Sequence, residues 1–139
     1  MAFLRGCSHI IHGGDIGSPN ILNELSVLAP VTAVRGNNDK GPWAAALPET
    51  EFVQLGEVSV YVLHDLSRLD IDPKAAGVSI VVSGHSHQPL IERRGAVLYL
   101  NPGSAGPRRF TLPVAVAEVV ITGKSIRPRI VELSIGNAA

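Results

Sequence analysis

The chain has 139 residues, the size of one domain that removes roughly 70% of its unfolded surface from water, so residues 1–139 are expected to form a single unit. Its 12 basic and 12 acidic side chains cancel and aromatics make up only 4%, which excludes a general basic field or stacking platform for nucleic acid and leaves phosphate recognition to local groups. The single cysteine, Cys7, excludes an internal disulfide framework and suits a reducing, cytoplasmic setting, and with no apolar run near the ~20 residues of a membrane span and no leader-like start, no membrane partner is expected.

In chain order, His9-Ile10-Ile11-His12 is a short β-rich run that stops at Gly13-Gly14. Ser18-Pro19 then supplies an N-cap and a proline in the first helical position, Ile21, Leu22, Leu25 and Leu28 share one face, and Pro30 marks the exit, which predicts an amphipathic helix over 19–28. Val31 to Arg35 returns as a strand, so the segment reads as a βαβ unit with a parallel pair. Further on, Glu51–Gln54 with Val58–Leu63, Leu90–Glu92 with Ala96–Leu100, and Val114–Ile121 with Ser125–Leu133 each flank a glycine-containing turn and predict hairpins. Pro73–Ala76 is expected as a short helix before a buried strand over Val78–Val82, and Pro128 makes the last strand an edge. The sum is an α/β fold with mixed sheets.

Four of the strand ends carry metal-ligand residue types. Asp15 offers two oxygens, enough to bridge two cations, although Gly-Asp after a strand equally suits an Asx turn. The amide oxygen of Asn37, in Gly36-Asn37-Asn38-Asp39, coordinates a cation without adding charge, and the same run is also good turn chemistry. His85 and His87, two apart after Ile80-Val81-Val82, share a face if the strand continues, which packing explains poorly. His64 ends a strand, and Asp65 beside it is a candidate acceptor for orienting an imidazole. His9 and His12, by contrast, read as hydrogen-bonding structural residues.

The ordered runs Ile10-Ile11-His12-Gly13-Gly14-Asp15-Ile16-Gly17, Val34-Arg35-Gly36-Asn37-Asn38-Asp39, His64, Ser83-Gly84-His85-Ser86-His87 and Asn101-Pro102-Gly103-Ser104 with Pro107-Arg108 resemble the calcineurin-like metallophosphoesterases. The likeness is greatest to the small phosphodiesterase branch with its Vps29-type relatives. The resemblance implies a two-sheet sandwich with flanking helices and two divalent metals among the strand-end loops. Carried over, Asp15 bridges the metals, Asn37, His64 and His85 complete the second site, and His87 belongs to the first. It also implies hydrolysis of a phosphodiester or phosphomonoester by an activated water, with manganese, iron, nickel or zinc as the cofactor. Asn38 and Asp39 are the candidate catalytic residues, and Arg108, with Arg109, is the candidate contact for substrate phosphate.

Two departures shape the expectation. The family opens on a strand ending in Asp-x-His, a motif this sequence lacks, so the fold is expected to be truncated at its N-terminus by one strand and most of a helix. One metal is then expected to bind tightly and a second weakly or not at all, with weak hydrolysis; a non-catalytic scaffold, or a start codon placed too late, are the alternatives. Asn38 stands where several branches place a histidine, and asparagine cannot act as a general acid. The run His9 to His12 is expected to expose an unpaired edge and an uncovered apolar face, and hence to favour a homo-oligomer, most simply a two-fold dimer, or else a local rearrangement that fills the gap from within.

Overall fold

The computed structural model describes residues 8–14, 19–36, 39–84, 90–102 and 115–132. Along them run β1 (Ile10–His12), α1 (Pro19–Leu28), β2 (Val31–Ala33), α2 (Pro42–Ala45), β3 (Thr50–Leu55), β4 (Val58–Leu63), a 3-10 turn (Leu66–Arg68), β5 (Ile80–Val82), β6 (Leu90–Arg94), β7 (Val97–Asn101), β8 (Ala115–Thr122) and β9 (Ser125–Glu132). β1 and β2 pair in parallel, and the crossover between them carries α1, as the βαβ reading requires. The central sheet has the order β3-β4-β5-β7-β6, parallel through β4, β5 and β7 and antiparallel at both margins. β8 and β9 form a separate antiparallel pair in which Pro128 faces Val119.

Strand periodicity explains the layering. On β4, β5 and β7, Val58, Val60, Val62, Ile80, Val82, Leu98 and Leu100 point to one face, where Ile11, Val34, Ala117, Val119, Ile121, Ile126 and Ile130 pack against them. The two small sheets thus cover the same side of the large one, giving the expected sandwich. The alternate residues Tyr61, Leu63, Val78, Val81, Val97 and Tyr99 point to the opposite face, which Leu66, Leu69 and Ile71 cover. With both faces covered, β5 is buried at every position, and each buried aliphatic side chain contributes roughly 1.5–3 kcal/mol. α1 lays Leu25, with Ile21 and Leu28 beside it, on Ile10 and Val31.

Three expectations change. Residues 73–77 form a turn rather than a helix: Ala76 N–H reaches Asp72 O at 3.0 Å, and Val78 N–H then turns back to Pro73 O at 2.8 Å. α2, only four residues long, follows Gly41 where no helix was expected. The apolar face of β1 is not uncovered, because Ile10 is buried against α1 and Ile11 packs on the large sheet. Among the described residues β1 pairs with β2 alone. Ser18, Val114 and Leu133 lie outside the described residues. No described helix is long and apolar enough to cross a membrane.

Candidate metal centre

The loops after β1, β2, β4 and β5 meet at the carboxyl ends of their strands, the position where α/β sheets build sites. His64, 5% exposed, is the hub. Its Nδ1 lies 2.7 Å from Gly13 O, and its backbone carbonyl accepts the Gly84 N–H at 2.9 Å. Since a carbonyl can only accept, Nδ1 is the donor, so the neutral tautomer that fits this bond carries its proton on Nδ1 and its lone pair on Nε2.

Close approach of backbones makes this junction possible. A Cβ placed on Gly14 would lie 2.6 Å from His64 Nδ1 and 2.9 Å from both the N and Cα of Gly36. Gly14 also has φ 102°, which disfavours any L side chain. A Cβ on Gly84 would stand 3.0 Å from Gly13 O and 3.4 Å from His64 Nδ1. Gly14 and Gly84 therefore crowd one imidazole and Gly36 lies against Gly14, and the residues that follow the three glycines in sequence are Asp15, Asn37 and His85.

Polar side chains hold each of these glycines. His12 Nδ1 accepts the Gly14 N–H at 3.2 Å, Asp39 Oδ2 accepts the Gly36 N–H at 2.9 Å, and Asn101 Nδ2 donates to Gly84 O at 2.9 Å. Asp39 and Asn101 are buried, as is Ser83, whose N–H reaches Leu100 O at 3.0 Å.

Of the expected site residues, His64 and Asp39 are placed as described, whereas Asp15, Asn37, Asn38, His85, His87 and Arg108 lie outside the described residues. Among the described residues no three His, Cys, Asp or Glu side chains cluster. The acceptor that orients His64 is Gly13 O, and Asp65 takes the N–H of Ser67 at 3.0 Å and its hydroxyl at 2.8 Å, capping the 3-10 turn. His9 and His12 behave as structural residues: His9 Nε2 meets Thr32 Oγ1 at 2.7 Å, and His12 serves Gly14. The work of Asn101 had no role in the sequence reading beyond its place in a motif, and only its contact with Gly84 reveals it. Carboxylate, amide and imidazole are donor types that suit a divalent cation, and an imidazole anchored through Nδ1, as His64 is, would offer Nε2 to one.

The sequence profile of the calcineurin-like phosphoesterase superfamily domain matches residues 1–123. A probable metallophosphoesterase of Methanothermobacter thermautotrophicus is 33% identical over 134 residues, covering 91% of this chain and 77% of the relative. In structure the chain is similar to a single mutant of Vps29 from Entamoeba histolytica, at TM-score 0.75 and 21% identity over 95% of this chain and 87% of that one. It is similar too to wild-type Vps29 of the same organism in complex with Zn, at TM-score 0.71 and 22% identity over 90% and 82% of the two chains. With two sheets packed face to face, strand-end loops gathered on a histidine, and a match that runs through most of its length, the chain belongs to the calcineurin-like phosphoesterase superfamily.

Proposed function

We propose that the chain is a metal-dependent phosphoesterase that hydrolyses small-molecule phosphodiesters or phosphomonoesters. The observation that carries the reading is the packing of Gly14 and Gly84 on the Nδ1-anchored ring of His64, with Gly36 against Gly14. Asp15, Asn37, His64 and His85 would hold one divalent cation tightly, and His87 with Asp15 a second one weakly. When bound, the cation supplies Lewis-acid polarisation of a phosphoryl oxygen. The neutral Asn37 leaves that polarisation stronger than a second carboxylate would.

The protein's own groups set the substrate range. Asn38 has no proton to give a leaving oxygen, so esters with good leaving groups are favoured. Asp39, committed to the Gly36 N–H, shapes the loop that carries Asn37 and Asn38. Arg108 is the candidate partner for the substrate's phosphate oxygens. A cytoplasmic, homo-oligomeric enzyme in which a second copy pairs with the β1 edge completes the reading.

A second reading, an interaction module that keeps the fold without hydrolysis, is suggested by the likeness to Vps29. One experiment separates the two. Elemental analysis after reconstitution with manganese or zinc and dialysis should give one tightly held equivalent, and the loaded protein should cleave bis(p-nitrophenyl) phosphate while His64→Ala should not. One bound equivalent with no cleavage supports the module, and no bound metal overturns the phosphoesterase reading.

A further inference from the structure

We infer that His12, Asp39 and Asn101 form a set of positioning residues that lock the peptides leading into the cation ligands. The inference rests on the phosphoesterase reading. A glycine before Asp15, Asn37 and His85 permits close approach, but glycine is also the residue whose backbone has the most conformational freedom. A metal centre needs its donors held within roughly 0.5 Å, so the freedom introduced at these positions must be removed elsewhere.

The geometry removes it at three places. The peptide between Gly13 and Gly14 is held at both ends, its oxygen by His64 Nδ1 at 2.7 Å and its N–H by His12 Nδ1 at 3.2 Å. The peptide between Gly84 and His85 has its oxygen on Asn101 Nδ2 at 2.9 Å, while the Gly84 N–H is spent on His64 O at 2.9 Å. Both sides of the Gly84 Cα are thereby fixed. At Gly36 the same carboxylate that takes the N–H belongs to Asp39, whose own N–H returns to Gly36 O at 3.3 Å, closing the loop that contains Asn37. Satisfying buried backbone groups explains one such bond, but the common feature is sharper: the side-chain bonds of His12, Asp39 and Asn101 each fall on the glycine immediately before a candidate ligand, Gly14 before Asp15, Gly36 before Asn37 and Gly84 before His85. Asn101 reaches across from β7 to do so, 17 residues from Gly84.

The test uses Co2+ as the added ion, because its ligand-field absorption reports the geometry of the donors. Asn101→Asp keeps the shape and loses the donor; Asp39→Ala loses the acceptor, and Asp39→Asn restores one. Affinity is measured by competition with a chelator at a temperature where circular dichroism shows every variant folded. Asn101→Asp and Asp39→Ala should each bind Co2+ about 10–100-fold more weakly with altered bands, and Asp39→Asn should recover most of the loss. Binding within twofold of the unaltered chain, with the same spectrum, would overturn the inference and leave the phosphoesterase reading standing. An unaltered chain that binds no Co2+ overturns both. If Asp39→Asn is as impaired as Asp39→Ala, the bond to Gly36 is not what Asp39 contributes, and the inference fails for that residue.

Discussion

Gly14→Ala is the substitution that interrogates the junction most directly. At φ 102° an L side chain costs about 1–3 kcal/mol in backbone strain alone. The added methyl would also stand 2.6 Å from His64 Nδ1 and 2.9 Å from two backbone atoms of Gly36. The imidazole can swing away only by leaving Gly13 O, and the Gly36 backbone can retreat only by moving its loop. Overpacking of this kind adds about 1–3 kcal/mol. Gly77→Ala is the matched control, since Gly77 has φ 77° and nothing within 4 Å of its hypothetical Cβ. It bears the strain and the unfolded-state effect but not the collision. Urea unfolding followed by the single tryptophan, Trp43, gives both midpoints. With a slope of about 1–3 kcal/mol per molar urea, an excess of ~2 kcal/mol places the Gly14→Ala midpoint about 1 M below that of Gly77→Ala. Equal midpoints would refute the close approach of Gly14 to His64 and Gly36, and with it the argument that the loops converge.

Leu98 is fully buried at the centre of the large sheet, so Leu98→Ala should cost about 2–5 kcal/mol by the same denaturation, and a loss under 1 would mean that the two sheets do not close on it. Asp65→Ala removes the cap of the 3-10 turn and should lower stability by about 1 kcal/mol; an unchanged midpoint would show the cap to be idle. The Arg94 guanidinium, hydrogen-bonded to Glu92 at 2.7 Å and adding its charge, holds the Glu92 carboxyl below its ordinary range. A depressed carboxyl stabilises the fold above its unfolded titration range and loses that contribution as pH falls through the folded value. Carboxyl NMR titration should show Glu92 moving back up in Arg94→Ala, and an unmoved titration would deny the pairing.

Local order was the part most readable in the sequence. Pro19 and the spacing of Ile21, Leu25 and Leu28 mark α1 because a helix states its face every three or four residues. The hairpins were marked by alternating apolar residues around Gly56, Gly95 and Gly123, the first residues of their two-residue turns. α2 escaped because four residues are too few to show a period, and the turn at 73–77 resembled a helix because its first bonds are helical before Gly77 breaks away. At the site, a histidine closing a strand was visible in His64, but its anchor is a carbonyl 51 residues earlier. No local pattern encodes that pairing, nor the reach of Asn101 to Gly84.

That long-range bond bears on the order in which the chain assembles. β3 with β4, and β6 with β7, close across two-residue turns and can form early, whereas the Asn101–Gly84 bond requires the non-local parallel pairing of β5 with β7, and the His64–Gly13 bond requires the β1–β2 pair to dock on the large sheet. During synthesis His64 leaves the ribosome long after Gly13, and Asn101 later still. The proposed cation centre would therefore be among the last parts to be completed, and an unfinished chain would carry its candidate ligands as separate, weak donors. Ion capture would then follow folding instead of guiding it, sparing the nascent chain from being trapped by whichever metal it meets first.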